Sequence, residues 1–300
     1  MIDVLVDPNI LPEYFFKGET SHRALYRSEQ NVDLWLSLSA SSKYPGAEKV
    51  RDPVLEMYRQ TIKDICKPEL DQTTFLSFGC GDGRIDYELI ELLYRNGMIV
   101  KYVPIDISRR LLELSINKLS KIVNIPFGIE TDFESGLDYL FKQIEPYRNN
   151  PIILGMLGNT LCSLDKGMEP FLSNLRNKFL ANDMFFISVA EGPINIERGR
   201  FTVEKLKKLC AEIFSVEMRC ECTSEDISAS FSEDNNSPEK YCVSYCEKIS
   251  NAELLKINGI DSDFPRHIED VLNMKLYGEN HLKDAEGMIF GVGCYVFKKL

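Results

Sequence analysis

Three glycines at alternate positions, Gly79, Gly81 and Gly83, follow directly on the apolar run TTFLSF. That run has the length and composition of a buried β-strand. Glycine permits a tight loop with positive φ and lets a ligand approach the main chain closely. Asp106 ends the next apolar run, MIVKYVPID, and Asp132 ends a third, IPFGIETD. A carboxylate at Asp106 can accept hydrogen bonds from both hydroxyls of a ribose, and one at Asp132 from an exocyclic amine.

The glycine spacing separates the loop from other nucleotide-binding loops. A dinucleotide fingerprint, G-x-G-x-x-G, requires glycine at position 84, where the chain has Arg84. The sequence contains no G-x-x-x-x-G-K-[ST] phosphate loop. The G-x-G-x-G spacing instead resembles that of S-adenosylmethionine (SAM)-dependent methyltransferases. The alternative is that the two acids only stabilise helix N-termini through the helix dipole.

Strands and helices alternate from about residue 73 to residue 191, which positions these groups. Five strand-like runs are separated by helical patterns, the first with Ile85, Leu89, Leu92 and Leu93 on its apolar face. Asn96-Gly97 is expected to end that helix, and Ser108 is the expected N-cap of the next one. Such alternation is typical of βαβ units in a parallel sheet, where ligands bind at the carboxyl ends of the strands.

The pattern predicts an α/β fold: a Rossmann-like, seven-stranded, mostly parallel sheet with helices on both faces. Residues 1–70 form a helical segment that covers the substrate, and residues 71–193 form the SAM-binding domain. Residues 194–287 form an insertion after the fifth strand that caps the substrate. Residues 288–300 form a terminal strand that returns to the sheet.

Three stretches resemble the histidine-specific N-methyltransferase family of the ergothioneine pathway. VPIDISRRLLELS is similar to the ribose-binding segment of that family. LGNTLCSL is similar to the family segment L-G-S-T-I-G-N-F, which faces cofactor and substrate. LPEYFFKGETSHRALY and KYPGAE resemble the segments F-Y-D…G-S-x-L-F and Y-Y-P-T-R, which help to form the substrate pocket.

Together, the loop chemistry and this resemblance imply a cofactor site and a substrate site. The cofactor residues are Phe78, Gly79, Gly81, Gly83, Asp106, Ile107, Asp132, Gly158 and Asn159. The substrate residues are Phe16, Tyr26, Tyr44, Thr160 and Ser163. The chain departs from the family pattern where Ser77 replaces an acid two residues before the first loop glycine. Ser163 also replaces an asparagine, and Lys43 replaces the first tyrosine of Y-Y-P.

Methyl transfer to an amine needs a neutral nitrogen that is held in line with the methyl group. A free α-amine has a pKa of ~7.7–8.0, so little base strength is required near neutral pH. Glu191, which ends the fifth strand, and Tyr44 are our candidates to orient the amine and accept its proton. Phe16, Tyr26 and Tyr44 would stabilise a methylated ammonium product by cation–π contacts, or else pack in the core.

Other acceptors and roles stay open. The cofactor could serve an oxygen or carbon centre of another small metabolite or of a pathway peptide, and the chain could be a non-catalytic adenosyl-binding module. A nucleic-acid partner is disfavoured by the net charge of −11. It is also disfavoured by the sequence Asn159-Thr160-Leu161-Cys162, where base-modifying enzymes have [ND]-P-P-[YF].

The nine cysteines are informative about the cellular compartment and about a possible metal site. The sequence has no leader pattern and no apolar stretch of ~18–20 residues, so we expect a reduced, cytoplasmic protein without a membrane partner. Cys220, Cys222, Cys242 and Cys246 have the residue type for a zinc site. They lie in alternating runs, however, so we predict an apolar core and no metal.

Overall fold

The computed structural model describes the chain in segments. The described residues are 2–8, 15–16, 19–20, 26, 29–39, 55–56, 58–59, 61–62, 72–158, 160–164, 167–191, 211, 227–233, 239–246, 252–260, 263–282 and 291–300. The strands are β1 (Val4–Val6), β2 (Phe15–Phe16), β3 (Glu19–Thr20), β4 (Gln72–Phe78), β5 (Ile99–Asp106), β6 (Gly128–Glu130), β7 (Ile152–Met156), β8 (Met184–Glu191), β9 (Ile227–Glu233), β10 (Glu239–Cys246), β11 (Ala252–Ile260), β12 (Lys275–Leu282) and β13 (Gly291–Lys298). The helices are α1 (Glu29–Ser39), α2 (Arg84–Arg95), α3 (Arg109–Leu119), α4 (Leu137–Ile144), α5 (Met168–Arg176) and α6 (Phe264–Leu272), with short 3₁₀ helices at Glu145–Tyr147 and Leu161–Ser163.

A mixed sheet in the order β1-β6-β5-β4-β7-β8-β13-β12 forms the centre of the fold. Among these eight described strands, β13 is the one that runs antiparallel to the others. The Rossmann-like α/β class is therefore confirmed. The predicted count of seven strands is one short, because β1 pairs with β6 at the sheet edge. β1 has three residues, too few to show a period in the sequence.

Helices cover both faces of the sheet. One face packs against α4, α5 and α6, with Phe171 and Phe264 in its core. The other face packs against α2, α3 and helical residues at positions 55–62. Tyr58, from that last segment, stacks on Phe186 of β8 at 5.3 Å between ring centroids and is fully buried. Tyr58 is thus part of the core on this face of the sheet. The predicted cover of the substrate by residues 1–70 stays a prediction.

The ends of the helices follow the predicted signals. The Ser108 hydroxyl accepts a hydrogen bond from the Leu111 N–H at 3.4 Å and caps α3. Asn96 caps the end of α2, and Gly97 follows with φ of +85°. The buried face of α2 differs from the predicted one, because Asp86 is buried and Ile85 is half-buried. The inner face thus contains the predicted Leu89, Leu92 and Leu93 and also a carboxylate.

Two further elements join the sheet at β8. The terminal strand β13 pairs with β8 along its whole length, from Gly291 opposite Glu191 to Lys298 opposite Met184. β9, β10 and β11 form an antiparallel ladder. This ladder meets β8 where Ile260 pairs with Glu191. β11 thus ends at the carboxyl edge of the sheet, where β8 ends. The predicted insertion, residues 194–287, also contains α6 and β12, which belong to the helical layer and to the central sheet.

A buried ion pair fixes the opposite, amino edge of the sheet. Arg148 lies 2.6 Å from Asp183, and both side chains are more than nine-tenths buried. The Asp183 carboxylate also accepts hydrogen bonds from the N–H groups of Ile152 and Leu180 at 2.9 and 2.7 Å. Burial raises the pKa of Asp183 in spite of Arg148. Its carboxylate therefore joins the start of β7 to the turn before β8.

No helix in these described segments is both long enough and apolar enough to span a lipid bilayer.

We expect Asp183→Ala to lower the free energy of unfolding by about 3–5 kcal/mol, because it leaves the buried Arg148 charge and two N–H groups without their acceptor. Urea denaturation at neutral pH measures this change. The matched control is Asp138→Ala, which removes the exposed carboxylate partner of Lys178 and should hardly change the stability. An equal effect of the two substitutions would contradict this role of Asp183.

Candidate active site

The glycine loop connects β4 to α2 and is fastened to β5. The N–H groups of Gly79 and Cys80 donate to the carbonyl of Ile105 at 2.8 and 3.1 Å. Gly79, Gly81 and Gly83 have φ of +70°, +54° and +70°. Side chains other than glycine are strained in this region, so the main chain needs glycine to follow this path. The loop therefore lies at the carboxyl ends of β4 and β5, as the sequence predicts.

The three glycines have different surroundings. A methyl group on Gly79 would lie 2.8 Å from the methyl carbon of Thr160. One on Gly83 would lie 2.6 Å from the Ser115 hydroxyl of α3. One on Gly81 would meet nothing within 4 Å. The outer two glycines are thus required by protein packing, and the middle one faces open space that a ligand can enter.

Asp106 ends β5 beside this loop and is buried, with 5% of its surface exposed. Its Oδ2 accepts a hydrogen bond from the Gly81 N–H at 3.0 Å, and its Oδ1 accepts one from the Ser108 N–H at 2.9 Å. The Cys80 thiol lies 3.9 Å from Oδ2. Burial raises the pKa of Asp106 from 3.8 to about 6, and the main-chain donors oppose that rise.

Asp132 lies two residues beyond β6, next to the end of β5. The neighbouring Thr131 N–H donates to the carbonyl of Asp106 at 3.0 Å. The Asp132 carboxylate accepts hydrogen bonds from the Glu134 N–H at 3.1 Å and the Ser135 hydroxyl at 2.6 Å. It therefore stabilises its own turn before α4. Its predicted contact with an adenine amine stays a prediction.

The other predicted cofactor residues differ in exposure. Ile107 is half-buried and lies between the buried residues Asp106 and Ser108. Phe78 is fully buried, and its ring packs against Phe133 with ring centroids 5.5 Å apart. Gly158 is exposed, with φ of +71°. Asn159 lies outside the described residues.

The segment after β7 approaches the glycine loop from the other side. The Thr160 hydroxyl donates to the Leu157 carbonyl at 2.7 Å, and the Thr160 methyl faces Gly79. The N–H of Gly158 donates to the Ser188 hydroxyl of β8 at 2.7 Å. Ser163 ends the 3₁₀ helix Leu161–Ser163 and is half-buried. Thr160 therefore lies beside the glycine loop, and the substrate role of Thr160 and Ser163 stays a prediction.

The substrate residues are only partly brought together. β11 contacts the 3₁₀ helix and pairs with β8 at Glu191, so the Glu191 main chain lies near Ser163. Phe16 lies in β2, whose partner β3 meets β11 at Glu253. Seven residues of strand separate Glu253 from Ile260, which is roughly 24 Å. Phe16 is therefore too far along β11 to share one small ligand with Glu191.

The two remaining substrate residues lie apart from this group or cannot be placed. Tyr26 packs edge-to-face on Trp35 of α1 with ring centroids 5.6 Å apart, and α1 contacts α3. The described contacts of Tyr26 thus lead to the α3 side of the sheet. Tyr44 lies outside the described residues.

Two polar residues near the loop, Ser188 and Asp86, are not among the predicted site residues. Ser188 is the lone hydroxyl in the apolar strand MFFISVAE, and a buried hydroxyl needs a partner. Asp86 lies three and seven residues before Leu89 and Leu93, which places it on the apolar face of α2. Both were visible as polar residues in apolar patterns.

The cysteines of the site are buried thiols. Among the described cysteines, Cys80, Cys162 and Cys294 are buried and form no disulfide. Burial raises the pKa of the Cys80 thiol well above its usual value, so it is protonated at neutral pH. Cys220 and Cys222 lie outside the described residues. In the described segments no His, Cys, Asp and Glu side chains group as metal ligands.

Three solved structures that resemble the chain each cover 89–90% of it. One is a Pyrococcus horikoshii protein with 12% identity and a TM-score of 0.49 over 89% of this chain and 98% of that one. Another is a SAM-dependent methyltransferase from Leishmania major with 13% identity and a TM-score of 0.48 over 89% and 81%. The third is the 1,6-didemethyltoxoflavin-N1-methyltransferase of Burkholderia thailandensis with 12% identity and a TM-score of 0.43 over 90% and 89%. A comparison with curated proteins finds no match.

A family model also matches the chain and names a specific class of methyltransferase. The model of the histidine-specific, SAM-dependent methyltransferases covers residues 44–193, which is half of the 300-residue chain. The matched region contains the glycine loop, Asp106, Asp132 and the segment after β7, which are the groups that meet at the carboxyl edge of the sheet. The chain belongs to the family of histidine-specific, SAM-dependent methyltransferases and is a SAM-dependent methyltransferase.

Proposed function

We propose that this methyltransferase transfers a methyl group from SAM to an amine nitrogen of a small amino-acid-like substrate. The description of its family, histidine-specific, supports an amino-acid acceptor. The observation that carries the cofactor half is the buried Asp106 carboxylate, held by the Gly81 N–H beside open space. The proposed substrate position lies between the segment Thr160–Ser163 and the end of β8, which β11 adjoins.

The residues at the loop fit SAM. Gly81 leaves space for a ligand where any larger side chain would intrude. Asp106 offers carboxylate oxygens to the two ribose hydroxyls, with its orientation fixed by N–H groups on both sides. Ile107 offers an apolar side chain next to that carboxylate. Asp132 and Gly158 border the same edge of the sheet.

SAM supplies an electrophilic methyl group on a sulfonium sulfur. The amine lone pair forms the new C–N bond as the C–S bond breaks, and the proton of the amine passes to a carboxylate. We propose Glu191 for this role, and the pairing of its main chain with β11 and β13 at the end of β8 supports the choice. The protein provides mostly orientation and proximity, which are worth up to ~7–11 kcal/mol.

The affinity of the site for its ligand should depend on pH. Since burial raises the pKa of Asp106 to about 6, the carboxylate takes up a proton as the pH falls through that value. A protonated Asp106 loses acceptor capacity for the ribose, so affinity for S-adenosylhomocysteine (SAH) should fall by roughly tenfold from about pH 7.5 to about pH 5. Isothermal titration calorimetry measures it. Asp106→Asn should bind weakly at both pH values, and an unchanged pH slope in this variant would contradict the assignment.

A second prediction tests the space beside Gly81. Gly81→Ala should weaken SAH binding by at least about tenfold, because the methyl group enters the ligand space and strains the loop. Gly97→Ala is the matched control, since Gly97 also has positive φ and no neighbour within 4 Å but lies at the far end of α2. It should lose similar stability and keep its SAH affinity. Equal affinities of the two variants would count against the site.

The third prediction identifies the acceptor. Incubation with SAM and pools of free amino acids should yield one product heavier by a methyl group at an amine, detected by mass spectrometry. Glu191→Gln should lower kcat by roughly a hundredfold and leave the SAM dissociation constant unchanged, because it removes a proton acceptor only. Methylation at oxygen or carbon, or a wild-type kcat in Glu191→Gln, would overturn the proposed substrate class or role.

A further inference from the structure

Asp86 is a second buried carboxylate behind the glycine loop, and the proposed mechanism does not use it. It lies in the first turn of α2 and has 3% of its surface exposed. The Tyr102 hydroxyl donates to its Oδ2 at 2.5 Å. That hydroxyl is also 2.9 Å from the Ser115 hydroxyl. Because Gly83 packs on Ser115, this chain of hydrogen bonds supports the inner side of the loop.

The Asp86 carboxylate of α2 lies next to Ser77 of β4. The Ser77 hydroxyl hydrogen-bonds to it and opposes the rise of its pKa. Ser77 is the position at which the resembling family has an acid. In this chain the carboxylate reaches the same point from α2 instead of β4. The charge at that point is therefore kept, although the residue that supplies it has moved.

The groups that face Asp86 leave its charge largely uncompensated. Burial raises its pKa from 3.8 to about 6, and the carboxylates of Asp82 and Asp106 add to the rise. Asp82 itself is paired with Arg84 and Lys118. Other titratable or charged groups lie on the described elements around Asp86. They are Tyr58 of the segment 55–62, Cys80 and Asp82 of the loop, Arg84 and Lys118 beside Asp82, and Tyr102 and Asp106 of β5.

We infer that Asp86 is a positioning residue whose fixed negative charge behind the loop makes the site prefer cationic SAM to its neutral-sulfur product, SAH. The two ligands share the adenosine and the amino-acid moiety and differ by the methyl group and one positive charge. Any effect of Asp86 on loop shape acts on both ligands alike. Its charge also acts alike on the zwitterionic amino-acid moiety of both ligands, whereas its attraction for the sulfonium acts on SAM alone, and the buried setting weakens solvent screening. This inference rests on the proposed cofactor site.

The experiment compares SAM and SAH affinities of Asp86→Asn by calorimetry at about pH 7. The amide keeps an oxygen acceptor for Tyr102 and removes the charge. SAM affinity should fall by about tenfold and SAH affinity by less than about twofold. The control is Glu91→Gln, which removes the same charge from a half-buried position of the same helix, where its partner is the exposed Arg95, and should leave the SAM to SAH ratio unchanged.

Stability provides a second readout. Burial is the largest cause of the raised pKa of Asp86, so the ionised carboxylate destabilises the fold above that pKa. Asp86→Asn should therefore have a melting temperature in the absence of ligand that is equal to or above that of the wild type. Equal losses of affinity for SAM and SAH, together with a lower melting temperature, would show a packing role and overturn the inference.

The unmodified protein gives an independent test if the variant fails to fold. Between about pH 7 and pH 5 neither ligand changes its own charge appreciably. The ratio of SAM to SAH affinity should decrease over this range as the buried carboxyls gain protons, and a constant ratio would overturn the inference. Failure of the wild type to bind either ligand would instead refute the proposed cofactor site. The double variant Ser77→Asp with Asp86→Ser should recover most of the wild-type ratio.

Discussion

The hydrogen bonds around the Asp106 carboxylate are the constraint on which the binding edge of this methyltransferase depends. The carboxylate is almost completely buried, so each oxygen needs protein donors in the absence of ligand. The donors are main-chain N–H groups, at Gly81 in the loop and at Ser108 before α3. Main-chain donors cannot rotate away, so the carboxylate, the loop and the start of α3 hold each other in one geometry.

This constraint reaches across the carboxyl edge of the sheet. The loop must approach β5 closely enough for Gly79 and Cys80 to donate to Ile105, which requires positive φ. Gly83 must pass Ser115 of α3 without a side chain between them. On the other side, the Thr131 N–H donates to the carbonyl of Asp106 and brings the turn of Asp132 alongside. The glycines and acids seen in the sequence therefore form one hydrogen-bonded unit.

Much of this fold was predictable because its signals are local. The strand runs, the helical periods, the Ser108 cap and the Asn96-Gly97 stop each lie within a few residues, and the structure confirms them. Two features were missed because their causes are not local. β1 is short and is stabilised by pairing with β6, over 120 residues away. Asp86 is buried because Tyr102 and Ser77, from other elements, supply its hydrogen bonds.

The substrate half was less predictable for the same reason. Thr160 and Ser163 follow β7 within a few residues, so their place after a strand of the sheet could be read from the local pattern. Phe16 and Glu191 depend on where β11 runs, and strand spacing along β11 separates them. Their distance is a property of pairing between segments more than 60 residues apart, which no local pattern encodes. Resemblance to a family therefore transfers to the cofactor edge more completely than to the pocket.

The negative charges at this edge make the fold less stable, but they favour a cationic ligand. Asp86 and Asp106 have pKa values raised to about 6 by burial, above their value of 3.8 in an unfolded chain. The unfolded state binds fewer protons than the folded state between these values, so these two groups make the fold less stable as the pH rises through that window. A cationic ligand favours the ionised forms and acts in the opposite direction. At neutral pH the protein without ligand thus holds two carboxylates in a setting that disfavours their charge, and part of that unfavourable free energy is relieved when SAM binds.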